Sequence, residues 1–168
     1  MYLDVLKNMN LSVDGKGYAG VIEEIVLPKL TVKTEEFRGG GMDTPVKLDM
    51  GMEALEISFT LKKFDKGLLT RFGLGNGKRV QLTVRGGLSS DGDGSEIPLT
   101  INLQGMITEM DFGTWKAGEN AMVKATVSLR YYKLTLDGEE LHEIDIANMI
   151  RKIDGFDYLA ITRKNIGL

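Results

Sequence analysis

Residues 121–146 read AMVKATVSLRYYKLTLDGEELHEIDI, and the period of this stretch decides the fold class. Val123, Ala125, Val127, Leu129 and Tyr131 alternate with Lys124, Thr126, Ser128 and Arg130, the two-residue period of a strand with one buried face. At Tyr131-Tyr132 the apolar set changes parity: Tyr132, Leu134 and Leu136 now alternate with Lys133 and Thr135, so a bulge or bend must re-aim the strand there. Asp137-Gly138 then turns the chain as a type I′ hairpin. Counting back from that turn sets Leu134 opposite Leu141 and Tyr131 opposite Ile144, with both strands shifting phase at one place.

Working outward, the same alternation recurs. Leu55, Ile57, Phe59 and Leu61 form a second half-buried strand; Val80, Leu82 and Val84, then Ile97, Leu99, Ile101 and Leu103, form two more, joined through a long flexible loop at 86–95. Residues 107–112 extend the latter past Gly105. Leu11-Ser12-Val13 and Tyr18 to Ile22 flank Asp14-Gly15-Lys16-Gly17 as a first hairpin. Val21 to Leu27 runs into Pro28, followed by a second extended run through Leu30 and Val32, an edge position because proline cannot donate to a ladder. Asp65 caps a short helix carrying Leu68, Leu69 and Phe72 on one face, with Phe64 stapled to Leu69 and Gly73 at its end; Asp157 caps a second helix over 158–166 that Gly167 stops. Residues 37–50 show no sustained period and read as an irregular loop. The fold class is mainly β, a sandwich or barrel with one or two short helices.

Composition bounds the rest. A chain of 168 residues fits one domain, able to bury roughly 70% of its unfolded surface. The net charge of −3, with lysine and arginine scattered among acids, leaves no basic stripe for tight nucleic-acid binding. Without cysteine there is no disulfide framework, thiolate nucleophile or cysteine metal site, and packing must hold the fold. No apolar run reaches the ~18 residues that span a bilayer, and Asp4, Lys7 and Asn8 interrupt any signal-peptide core, so synthesis and folding in the cytoplasm are expected. Twenty-one glycines against three prolines suit tight turns.

Motifs that suggest chemistry fail on spacing. Gly73, Gly75, Gly77 and Lys78 resemble a phosphate loop, but Phe72 stands where its first glycine belongs and Arg79 where its magnesium-binding hydroxyl belongs. Asp91 to Glu96 alternates oxygen ligands, yet Glu96 occupies the sixth position that an EF-hand gives to glycine. His142 is the single histidine and is expected on the solvent side of its hairpin. Glu139, Glu140, Glu143 and Asp145 flank a turn and are expected to be solvated. Neither catalysis nor a cofactor is expected.

A set of stretches points further: Leu27-Pro28-Lys29-Leu30, Lys33-Thr34-Glu35, Phe37-Arg38-Gly39-Gly40-Gly41-Met42-Asp43 and Leu48-Asp49-Met50-Gly51. Trp115-Lys116-Ala117-Gly118-Glu119, Tyr131-Tyr132-Lys133-Leu134, Asp137-Gly138, Glu143-Ile144-Asp145 and Asn165-Ile166-Gly167-Leu168 follow. In this order and spacing the chain resembles the major tail tube protein of contractile-tailed phages, with the tube protein of R-type pyocins as the nearest pattern; residues 62–110 carry no matched motif. The resemblance implies one tail-tube domain over 1–168 that forms hexameric rings stacked into a hollow tube inside a contractile sheath. The tube would conduct a genome in a phage or puncture an envelope in a bacteriocin. Its partners would be further copies of itself, the sheath, baseplate and tail terminator proteins, and transient non-specific DNA in a phage, with no direct membrane anchor. A tube protein of the type VI secretion kind, or a soluble β-sandwich binding module, stands as the alternative.

Within that frame the polar strand faces are expected to line the lumen: Glu56, Ser58, Thr60 and Lys62; Gln81, Thr83 and Arg85; Thr100, Asn102 and Gln104; and Lys124, Thr126, Ser128 and Arg130. The segment 34–50 is expected to dock one ring on the next, loose until assembly orders it. Gly39, Gly40 and Gly41 supply reach, Arg38 and Asp43 lie beside them, and Phe37, Met42, Val46, Leu48 and Met50 supply apolar anchors.

Overall fold

The alternating stretch folds as the strand Val123–Leu136, in which Val123, Ala125, Val127, Leu129 and Tyr132 are buried, so the core face changes parity between Leu129 and Tyr132. The computed structural model describes residues 2–73 and 77–168; Gly75, part of the glycine run weighed above, lies outside the described residues. In chain order the elements are β1 (Asp4–Val13), β2 (Lys16–Gly17), β3 (Ile22–Val26), β4 (Val32–Phe37), β5 (Val46–Met52), β6 (Glu56–Leu61) and α1 (Lys66–Leu69). There follow β7 (Val80–Ser90), β8 (Glu96–Asp111), β9 (Val123–Leu136), β10 (Glu139–Asp145), β11 (Ile150–Ile153), β12 (Phe156–Asp157) and α2 (Ala160–Asn165). Mainly antiparallel β is therefore the observed class, with two short helices.

Ten strands join in the order β12-β11-β10-β9-β8-β7-β1-β2, with β6 and then β3 branching from β9. One edge of β9 is lined by β8 throughout. The other edge changes partner: β6 pairs with Val123 to Ser128 and β10 with Tyr131 to Leu136. At the junction Leu129 N donates to Leu55 O at 3.0 Å and Ile146 N to Arg130 O at 3.1 Å, so backbone pairing continues across the seam. Arg130 is the extra residue there, since Leu129 faces Gly105 while Tyr131 faces Gln104. This bulge is the physical cause of the parity change. The core gathers on one face: Leu11 and Val13, Ile57, Phe59 and Leu61, Val80 and Leu82, Ile101, Leu103 and Ile107, and the odd-numbered residues of lower β9.

Several sequence expectations need correction. Asp137 and Gly138 have φ of 51° and 82°, as a type I′ turn requires, but Leu141 bulges from β10, so Leu134 faces His142 and Tyr131 faces Asp145. The two strands thus break phase at different places. β7 and β8 stay paired as far as Ser89 and Glu96, which leaves a tip at 91–95 instead of a long loop from residue 86. In the first hairpin β2 is two residues long, and Tyr18 to Val21 turn the chain before β3. Asp65 does cap α1, accepting from Leu68 N at 3.1 Å, but the helix stops at Leu69, well before Gly73. Phe64 also packs on Phe112 and Trp115, with ring centroids at 5.6 and 5.9 Å. α2 begins at Ala160 with Leu159, not Asp157, at the N-cap position; the Asp157 carboxylate accepts from Leu159 N at 3.0 Å and pairs with Arg163 at 2.7 Å. The segment 37–50, expected as one irregular loop, is instead the end of β4 and most of β5 around a tip at 38–45, and the two strands form a separate two-stranded sheet.

Candidate functional site

Cross-strand register assembles the polar residues of the long strands into rows on the face opposite the core. Asn10, Arg85, Thr100 and Thr135 lie in one row; Ser12, Thr83, Asn102, Lys133 and Glu143 lie in the next; Gln81, Gln104, Tyr131 and Asp145 form a third. Below the seam, Glu56 and Met106 flank Ser128, Ser58 and Glu109 flank Thr126, and Thr60 and Asp111 flank Lys124. Of the residues expected to share a polar face, Lys62 and Arg130 fall outside these rows. Lys62 lies just beyond β6 and pairs with Glu23 at 3.2 Å; Arg130 is the bulge residue. Thr60 is 6% exposed, lying in register between Glu24 and Lys124, two long side chains that flank a short one. The face therefore excludes Thr60 as a solvent-facing group in the free subunit.

The sequence reading missed Asn10, Ser12, Tyr131, Lys133, Thr135 and Glu143 on this face. The parity break at Tyr131-Tyr132 carried the signal for three of them: beyond the bulge, Tyr131, Lys133 and Thr135 replace the even-numbered set. One ion pair and one hydrogen bond to a carboxylate lie on this face. Lys133 Nζ lies 2.6 Å from Glu140, which pushes the Lys133 ammonium pKa up, and Tyr131 OH donates to Glu143 at 2.7 Å. Burial, then the Glu143 bond, pushes the Tyr131 phenol up. Asp145 accepts from Asn148 through both its backbone N and its Nδ2. Three carboxylates weighed above as acid–base candidates are thus each committed to a partner.

His142 stands in a different place from the one expected. The Leu141 bulge turns it opposite Leu134 and Ile153, half-buried, with an enclosed Nδ1 that has no hydrogen-bond partner. The 91–95 tip is organised internally, Asp93 accepting from Ser95 N at 2.9 Å and Ser95 Oγ at 2.7 Å. Among the described residues no group of three or more acidic or histidine side chains is placed to hold a metal ion. Among the described residues no helix is long and apolar enough to cross a membrane.

The second surface is the β4–β5 arm. Phe37 faces Val46 and Glu35 faces Leu48 on one side of this hairpin; Glu36 faces Lys47 and Thr34 faces Asp49 on the other. Phe37, Val46, Leu48 and Met50 are 55%, 45%, 47% and 52% exposed, so an apolar stripe stands in solvent. At the tip Met42 N donates to Gly39 O at 3.2 Å, Gly39 N to the Met42 sulfur at 3.1 Å, and Arg38 Nε to Met42 O at 3.0 Å. Gly41 has φ of 83°, a left-handed turn position that glycine adopts without strain, while Gly40 and Asp43 complete the tip. The arm is thus a folded hairpin where the sequence suggested a loose loop. Val46, Leu48 and Met50 alternate with Lys47 and Asp49, a strand signal that the glycine run beside it obscured.

Comparison with known proteins follows this architecture. The chain is 37% identical over 166 residues to the tail tube protein of Escherichia phage P2, covering 97% of this chain and 96% of that one. It is 36% identical over 152 residues to the major tail tube protein of Serratia phage KSP20, covering 89% and 87%. Among solved structures, a chain of the PVC sheath-tube complex of an extracellular contractile injection system in its extended state has a TM-score of 0.57 at 14% identity, over 76% of this chain and 87% of that one. A chain of the PVC sheath/tube terminator reaches 0.60 at 15% identity, over 80% and 98%; these two likenesses are of fold. The family described as Phage tail tube protein FII matches residues 4–167, nearly the whole length, and it is to this family of contractile-tail tube subunits that the chain belongs.

Proposed function

We propose that the subunit forms hexameric rings that stack into the hollow inner tube of a contractile tail, its 168 residues acting as one tube domain with an assembly arm at 34–50. The observation that carries this reading is the polar face: rows of hydroxyl, amide and charged groups of both signs run across five neighbouring strands on the side away from the core. A wall of mixed sign suits a conduit, because phosphate affinity grows with the number of charges neutralised and a wall whose few cations stand among acids neutralises few. Free strand edges support ring closure. β1 meets β2 only at Ser12 and Val13, and β3 pairs with β6 alone, so among the described residues each presents an open edge that a neighbouring copy can cover. The arm, with its four apolar side chains in water, supplies the contact from ring to ring.

In this role the subunit turns nothing over. A sheath around the tube and a terminator at its end are the expected partners, as the names of the similar injection-system complexes suggest, together with a baseplate and, in a phage, DNA passing through the lumen. The particle would be assembled in the host cytoplasm and function as part of the virion tail. Electron microscopy of the purified protein tests the proposal: long smooth tubes of stacked six-fold rings are expected. Isolated rings without stacking would favour a secretion-type ring protein, and monomers at high concentration would overturn the tube reading.

A further inference from the structure

Among the described residues β4 and β5 pair only with each other, so no ladder fixes the arm to the body. At its base the register slips between Val32 and Thr34, with Met50 and Gly51 lying opposite Lys33. Gly51 has φ of 97°, a left-handed conformation that bends β5 there. A hinged arm of this kind is aimed by side chains. Just beyond the hinge, Asp49 Oδ2 lies 2.6 Å from Arg151 Nη2 on β11, while Asp49 Oδ1 accepts from Gly51 N at 2.9 Å. Arg151 is itself well anchored: it pairs in register with Ile144, and its carbonyl accepts from Tyr158 N at 2.8 Å. Between arm base and body lies an apolar groove of about 290 Å³, where Val32 and Met52 meet Ile144, Ile153 and Tyr158.

Hairpin parity gives this contact a direction. Asp49 belongs to the polar side of the arm, with Thr34, Glu36 and Lys47, so holding Asp49 against Arg151 turns the polar side toward β11 and the Phe37, Val46 and Leu48 side away from it. We infer that the Asp49–Arg151 ion pair is a positioning latch that aims the arm in the free subunit, presenting its apolar side to a second copy of the chain. The inference rests on the docking role proposed above for the arm. Half-exposed ion pairs contribute little to global stability, so the latch acts on orientation more than on folding.

The chain has no cysteine, so two can be introduced cleanly as spin-label sites: Lys47→Cys on the arm and Glu139→Cys at the end of the β9–β10 turn. Pulsed electron resonance on the unassembled protein is expected to give one narrow distance peak, broadened by Asp49→Asn or Arg151→Gln and narrowed again by the exchange Asp49→Arg with Arg151→Asp. Light scattering is expected to show tube growth slowed about fivefold by either single substitution and restored by the exchange. A distance peak that stays narrow in both single variants overturns the latch, as does a broadened peak with growth at the wild-type rate. Deleting residues 39–42 separates the two proposals: undiminished growth of that variant sinks the docking role of the arm, whereas the distance measurement judges the latch by itself.

Discussion

Gly105 is the residue on which the seam of the sheet turns. It faces Leu129 across the bulge at Arg130, and a Cβ built on it would be driven into the carbonyl oxygen of Ser128, with the Ser128 carbonyl carbon and Leu129 Cα at 2.9 and 3.0 Å. Main chain cannot rotate aside as a side chain does, so Gly105→Ala must part β8 from β9 where β6 and β10 also meet. A loss of about 2–4 kcal/mol is expected, measured by urea or thermal unfolding; unchanged stability would contradict the close approach. Sequence alone could not assign this role, because a glycine inside an alternating run has the same pattern whether it fills a bulge contact or simply lacks a side chain. His142 and Thr60 were misjudged for a related reason. Each depends on an unseen neighbour, Leu141 bulging before the one and Glu24 and Lys124 flanking the other.

Elements were legible where one face is buried and the other is wet. β6, β8 and β9 satisfy that condition and were readable to within a few residues, β7 was readable at its start though it runs on to Ser90, and the Asp137-Gly138 turn followed from its dipeptide. The arm failed the condition, since both of its faces are exposed and burial imposes no alternation on it. The Asp65 cap was also legible, but its wider network was not. Lys16 Nζ and Tyr18 OH each donate to Asp65 at 2.7 Å, tying the β1–β2 hairpin to α1. The Lys16 bond, then the Tyr18 bond, lower the Asp65 carboxyl to about 2 from an ordinary 3.8. A carboxylate lowered on folding stabilises fully above its unfolded value, and this contribution is lost as pH falls from about 3.8 through about 2. Denaturation of wild type across that window should therefore lose about 2 kcal/mol more than Asp65→Asn does. Parallel pH profiles for the two proteins would contradict the network.

At the scale of the whole molecule, the resemblance was carried by motifs scattered from Leu27 to Leu168, and the family match runs over residues 4–167, through the region 62–110 where no motif had been recognised. Physics accounts for the gap: alternation and register define β7 and β8, and many side chains satisfy both, so these strands need no fixed string to be formed. The same two strands supply much of the polar face on which the proposed conduit depends. The most direct measurement is therefore accessibility of that face in assembled tubes closed at both ends. With the chain free of cysteine, Ser58→Cys, Thr83→Cys and Ser128→Cys each place one thiol on it, in β6, β7 and β9. A bulky thiol reagent is expected to modify all three readily in monomer and slowly in capped tubes. Labelling in capped tubes at the monomer rate would place these rows outside the lumen and contradict the account.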